Sequence, residues 1–331
     1  MTTTRRALLV STANPYPMVT NGCARLVSDY QAIMFPHYEM YFLLARPGDW
    51  SPLRLFHQGR PLGQEPHVQD LLVQDFAFVL FIGFKENELT RQLAGLRPSF
   101  CLTDTYPHPD LPDGLFRGVL SHRAVERHRD LLLVGGSYDD GVFYPYRRNE
   151  ELVLAIGRIH PDKNQLELVR SYRQAIFEEY GLPLHLVGGV DDPDYFAEVD
   201  RYVDSLAVVS SIDPADPLAT GSWRSAPEIA ELCNRARLFV SASPKESFGL
   251  AMIEAMACGT TCVVNGDYRG FVAADLRPHV YGHITAQQGA IVELVAQALR
   301  EDVRIDGSNW ARKYSVSAIR EVLSQFIDER L

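Results

Sequence analysis

Short apolar runs punctuate the chain, separated by longer stretches in which apolar residues recur with a helical period. In the first half the runs are Ala7–Val10, Met40–Leu44, Phe76–Ile82, Phe100–Leu102, Gly118–Leu120 and Leu131–Val134. In the second half they are Leu152–Ile156, Leu184–Val187, Ala207–Ser210, Leu238–Val240 and Thr261–Val264. Runs of this kind, interleaved with helices, predict parallel strands covered on both faces. Two such series predict two doubly wound Rossmann-like α/β domains facing across a cleft. The polar, proline-bearing segment Phe143–Glu150 separates them. The expected limits are 1–146 for an N-terminal domain and 147–308 for a C-terminal one. The remainder, 309–331, reads as a helix with apolar Ile319, Val322, Leu323 and Phe326 at helical spacing, probed below for its placement.

A length of 331 residues agrees with that division, since domains hold roughly 100–200 residues. Arg5 and Arg6 precede the first apolar run, but the run is too short for a secretory core and reads as a buried first strand. No run approaches the roughly 20 apolar residues of a membrane span. Five scattered cysteines, with no C-x-x-C pair, read as small core residues of a cytoplasmic protein, not a disulfide frame or metal site.

The formal charge of -10 disfavours nucleic acid as a partner, because phosphate neutralisation needs a basic surface. The locally basic stretch from His122 to Arg129 reads as a solvated helix face in preference to a lipid contact.

Ligands of open parallel sheets bind beyond the carboxyl ends of the strands, so the loops there carry the candidate chemistry. The most informative segment runs from Ser243 to Gly259, between the Leu238 and Thr261 strands. Leu250–Cys258 has strong helix formers and apolar residues almost all round, which predicts a buried helix. Glu254 sits in its middle, and a buried carboxylate requires a partner. Glu246 precedes the helix, in a loop at a strand end. Two carboxylates bracketing a helix N-terminus, whose N–H groups favour anions, suit a ligand with hydroxyls on either side of phosphate. A buried arginine partner for Glu254 and a solvated Glu246 are the alternative.

A second candidate is Gly157-Arg158-Ile159-His160-Pro161-Asp162-Lys163 after the Leu152 strand. Arg158 and Lys163 would neutralise a diphosphate leaving group without a metal; surface basicity ahead of the helix Gln165–Phe177 is the alternative. A third is the loop after the first strand, where Asn21-Gly22 lacks the G-x-G-x-x-G spacing of a dinucleotide site. A glycine there admits phosphate or sugar close to the backbone, and turn geometry explains it equally.

Glu246 to Glu254 fits an E-x7-E pattern, and with Phe248-Gly249 and Glu254-Ala255-Met256-Ala257-Cys258-Gly259 the chain resembles the retaining glycosyltransferases of family 4, the glycogen-synthase and sucrose-phosphate-synthase-like group. Gly157-Arg158 with Lys163, Leu186-Val187-Gly188-Gly189, Glu228–Leu232 and Trp310–Ser315 extend the resemblance through the C-terminal half. It fades in the first half to the glycine-containing loop and the Phe143-Tyr144-Pro145 hinge. The chain departs from the family at Asn265–Gly270, where a glycine pair is common, and at Thr261, where proline is.

The resemblance implies a two-domain architecture of the GT-B type and a nucleotide-sugar donor held by the C-terminal half, with the closing helix crossing back to the N-terminal domain. Glu254 would hold the donor ribose and Glu246 the hydroxyls of the transferred sugar. Arg158 and Lys163 would hold the diphosphate, and the backbone around Phe248, Gly249 and Leu250, with Gly188, would complete the donor site. An N-domain histidine often touches the donor sugar in this family. His108 and Asp104, after the Phe100–Leu102 strand, are the candidates, with an Asx turn and an exposed loop histidine as alternatives. The expected reaction is metal-independent hexosyl transfer with retention, from a UDP-sugar to an acceptor hydroxyl, with no other cofactor. A sugar phosphorylase on the same fold and a catalytically silent nucleotide-sugar-binding protein are the competing readings.

Overall fold

The computed structural model describes residues 5–11, 22–34, 37–44, 54–57, 60–61, 74–83, 88–103, 111–112, 114–121, 131–134, 136–146, 150–204, 206–211, 225–246, 248–268, 273–283 and 290–331. The chain divides into two compact units, Met1–Ser137 with Val316–Leu331, and Tyr138–Ser315. The first boundary precedes the expected hinge for a packing reason: Tyr138 and Phe143 are buried in the second unit's core.

The first unit is built on one sheet. Its strands are β1 (Arg5–Ser11), β2 (Tyr38–Leu44), β3 (Arg54–His57), β4 (Arg60–Pro61), β5 (Phe76–Ile82), β6 (Ser99–Thr103), β7 (Gly118–Ser121) and β8 (Leu131–Leu133), in the order β4-β3-β2-β1-β5-β6-β7-β8. All neighbours are parallel except β2/β3 and β3/β4. That antiparallel edge, outside the predicted runs, pairs the short Arg54-Leu55-Phe56-His57 pattern with β2. Successive residues of β1 point to opposite faces: Ala7 and Leu9 enter one core, Leu8 and Val10 the other. Two helices with described backbone accompany the sheet, α1 (Gly22–Met34) and α2 (Glu88–Leu96).

The second unit has an all-parallel sheet of β9 (Leu152–Ile156), β10 (Leu184–Val187), β11 (Val208–Ser211), β12 (Ala236–Ser241), β14 (Thr261–Asn265) and β16 (Tyr281–His283), ordered β11-β10-β9-β12-β14-β16. Two short strands, β13 (Lys245–Glu246) and β15 (Asp267–Tyr268), pair separately. Its longer helices are α3 (Gln165–Arg170), α4 (Pro193–Asp200), α5 (Ala226–Arg235), α6 (Leu250–Ala257) and α7 (Ile291–Arg300). The order doubles back at β9: the chain runs outward through β10 and β11, then returns to lay β12 against β9's other side. This is the switch point at which such sheets open a crevice.

The expected single helix over 309–331 is two pieces. Ser308–Ala311 and a tight turn Arg312–Tyr314 end at Ser315, which is extended (φ -70, ψ 152) and bridged to Tyr138. Helix α8 (Val316–Asp328) then joins the first unit, where Ile319, Leu323, Phe326 and Ile327 share a core with Ala7, Phe78 and Phe100. Tyr38 Oη donates to Asp328 Oδ1 at 3.0 Å, and Arg320 Nε to the Ile33 carbonyl at 2.9 Å. Gly118 is required beneath it, since a Cβ there would lie 2.5 Å from the Phe326 ring. Of the five cysteines, Cys101, Cys233, Cys258 and Cys262 are buried free thiols. No described helix is long and apolar enough to cross a membrane.

Candidate functional site

At the end of β9 the chain turns through Gly157 and Arg158 into a single turn over Pro161–Lys163. His160 caps that turn, its Nδ1 accepting from the Asp162 N–H at 3.2 Å, and Asn164 stops it in the left-handed region (φ 53). The loop after β10 is stitched alongside. Gly157 N–H donates to the Val187 carbonyl at 2.9 Å, Ile159 N–H to Gly189 at 2.8 Å, and Asp191 N–H to Ile159 at 3.2 Å. The two backbones approach so closely at Gly188 that a Cβ would fall 1.9 Å from the Gly157 carbonyl oxygen. Gly188 therefore serves loop packing directly.

Beyond β12, Ser243 and Pro244 lead into β13, whose Glu246 pairs in register with Tyr268. Gly266 is needed there, because a Cβ would meet the Ser243 carbonyl at 2.0 Å. Gly249 caps α6 with φ 74, lying against the Tyr268 ring, where a Cβ would sit 2.8 Å from Cε1. The Tyr268 phenol is held well above its ordinary pKa by burial and by the Glu246 charge. Phe248 is buried, its ring 5.2 Å from that of Tyr314, so it offers a ligand its backbone and not its side chain. Leu250 packs partly buried on the same core.

Helix α6 is enclosed as its composition predicts, with Met252 to Ala257 all buried. Glu254 is 7% exposed. Its charge reaches the Cys233 thiol, whose pKa is raised well above normal by a hydrogen bond with Cys258, by burial and by neighbouring charge.

A small hollow lies at the switch point, walled by the ends of β9, β10 and β12 with Lys163, Gln165 and Leu168. Lys163 Nζ donates to Glu246 Oε1 beside it, the side chains 22% and 15% exposed. Arg158 pairs with Asp191, at 40% and 44%. Three predicted residues thus meet by contact or by loop: Lys163, which lines the hollow, with Glu246, and Arg158 on the loop that leads into the turn of Lys163. Gly249, Leu250 and Glu254 follow Glu246 on its loop and helix. Gly22 opens α1 in the first unit. Asn21, Asp104 and His108 lie outside the described residues. Among the described residues no three His, Cys, Asp or Glu side chains gather as a metal site.

Asp191, Gln165, Ser241, Ser243 and Tyr268 were not predicted as site residues. Asp191 carried a signal, since it follows the β10 run in the same way that Arg158 follows β9. Tyr268 carried none, because its role depends on the β13/β15 pairing.

Residues 150–301 match the family model described as Glycosyl transferases group 1. D-inositol 3-phosphate glycosyltransferase of Rhodococcus erythropolis is 34% identical over 163 residues, covering 46% of this chain and 35% of that protein. The chain spans about a third of the length of the curated relatives it matches. Among solved structures, sucrose-phosphate synthase from Thermosynechococcus elongatus superposes with a TM-score of 0.67 at 16% identity, covering 98% of this chain and 99% of that one. Anabaena HepE in complex with UDP and glucose gives 0.64 at 14%, covering 98% and 100%. This likeness shows the fold, that of the GT-B glycosyltransferases.

Proposed function

We propose, for a chain whose residues 150–301 match the glycosyl transferases group 1 model, a retaining, metal-independent transfer of a hexose from a nucleoside-diphosphate sugar, UDP-linked by default, to an acceptor hydroxyl. The second unit takes the donor and the first the acceptor. One observation carries this reading: Lys163, on the wall of the hollow at the sheet's switch point, pairs with Glu246.

The pair joins the two functions a donor needs. The Lys163 ammonium and the nearby Arg158 guanidinium offer positive charge to a departing diphosphate. The Glu246 carboxylate accepts hydrogen bonds from sugar hydroxyls, and Glu254 does so from the ribose. The first N–H groups of α6, behind Gly249, add donors aimed at an anion. In the reaction, the bond from the anomeric carbon to the phosphate oxygen breaks. The acceptor oxygen forms its bond on the same face, and its proton passes to the departing phosphate oxygen. Catalysis then rests on positioning and on stabilising the leaving charge.

Transfer from a UDP-sugar, or its slow hydrolysis, is the direct test. Glu246→Ala and Lys163→Ala should each lower turnover by about 10²–10³-fold or more while circular dichroism stays unchanged, and chelation by EDTA should leave the rate intact. Normal turnover in either variant sinks the assignment.

A further inference from the structure

We propose that Gln165 recognises the nucleotide half of the donor through its amide oxygen, taking a hydrogen bond from a base N–H or a ribose hydroxyl. The proposal rests on the nucleotide-sugar reading above and adds to it a residue that the motifs do not contain. Gln165 is 6% exposed and lines the hollow. Its Nε2 donates to the Arg158 carbonyl at 2.7 Å. That bond fixes the amide's orientation, because the reverse would set Oε1 against another acceptor. Oε1 is buried and has no hydrogen-bond partner. Buried acceptors without a donor are rare and costly in folded proteins, and a donor brought by a ligand removes the cost.

The surroundings narrow the ligand's chemistry. An amide oxygen repels phosphate, which belongs with Lys163, two positions earlier. Ile156, Leu168, Leu186 and Val240 give the hollow an aliphatic wall, and Lys163, Ser241 and Ser243 a polar one. A nucleoside, which joins an apolar face to N–H and hydroxyl donors, matches that mixture in chemistry. Oε1 is buried, and the Lys163 stem lies beside Gly157 at the same hollow. In the proposed complex Lys163 exchanges Glu246 for a phosphate as the nucleotide reaches Gln165.

Calorimetry on the whole chain, with UDP, GDP or ADP (whichever the wild type binds tightest) and with inorganic pyrophosphate, tests this. Gln165→Met keeps the side chain's length and removes its amide. It should weaken the nucleotide about three- to tenfold, the range for one lost hydrogen bond, and leave pyrophosphate unchanged. If the difference vanishes with the 2′-deoxynucleotide, the donor is the ribose hydroxyl; if it persists, the donor is elsewhere on the nucleoside, and either result supports the proposal. Equal weakening of nucleotide and pyrophosphate would mean a displaced Arg158 loop and overturns it, as does unchanged nucleotide affinity. A wild type that binds none of the three nucleotides sinks the nucleotide-sugar reading itself and this proposal with it; a wild type that binds one while Gln165→Met is unaffected sinks only the role of Gln165.

Discussion

In the second unit, core and site alternate within the same short stretches of chain. Leu152 and Leu154 face one core, Val153 and Ala155 the other, and the next few residues carry Arg158 and Lys163. In the first unit, part of the core arrives from the far end of the chain, where Phe326 packs over Gly118 and beside Phe100. A doubly wound sheet can thus be closed from within its own segment or by a helix returning from elsewhere. The first arrangement leaves a motif that can be read locally. The second leaves only an amphipathic helix whose partner is unspecified.

The sharpest way to break this contrast is Phe326→Ala. Emptying a ring-sized space in the first unit's core should cost about 3–5 kcal/mol. Denaturant unfolding should show one early transition, while nucleotide binding by the second unit persists beyond it. Loss of binding in step with that transition would mean that the units do not fold separately. Gly188→Ala probes the opposite case, a local fault in the second unit. Its Cβ would strike the Gly157 carbonyl, so a cost of about 1–3 kcal/mol is expected, together with weaker nucleotide binding, both measurable on the purified variant.

The smallest expected effect concerns acid stability. Burial pushes the Asp204 carboxyl upward, but hydrogen bonds from the Val208, Leu206 and Ala207 N–H groups and from Arg173 outweigh it and hold the pKa at about 2, below the ordinary 3.8. A lowered folded pKa stabilises above the unfolded value, and the gain is lost as pH falls through the folded one. The second unit should therefore lose this contribution between about pH 4 and pH 2. In Asp204→Ala the loss over that window should be shallower, as followed by near-ultraviolet dichroism.

Most of the second unit was legible because its signals are local. The strand at Leu152, the buried helix after Gly249 and the carboxylates at 246 and 254 all follow from period, composition and spacing. The break at Ser315 was not, because no proline or glycine marks it: the turn Arg312–Tyr314 ends in an extended residue bridged to Tyr138, far away in sequence. The β3/β4 edge was missed for a similar reason: four residues carry too little pattern to specify a strand without a neighbour.

By itself, the order of residues determined two α/β layers and the buried helix of the second, and it singled out the charged residues of the loops at the strand ends. Tertiary structure alone decided that Lys163 meets Glu246, 83 positions away, and that Gln165 closes against Arg158 with its oxygen left over. Periodicity fixes which face of a strand is buried, whereas strand order decides which strand ends are neighbours. Here β9 and β12 became neighbours through a crossover, so the loops that follow them share one hollow.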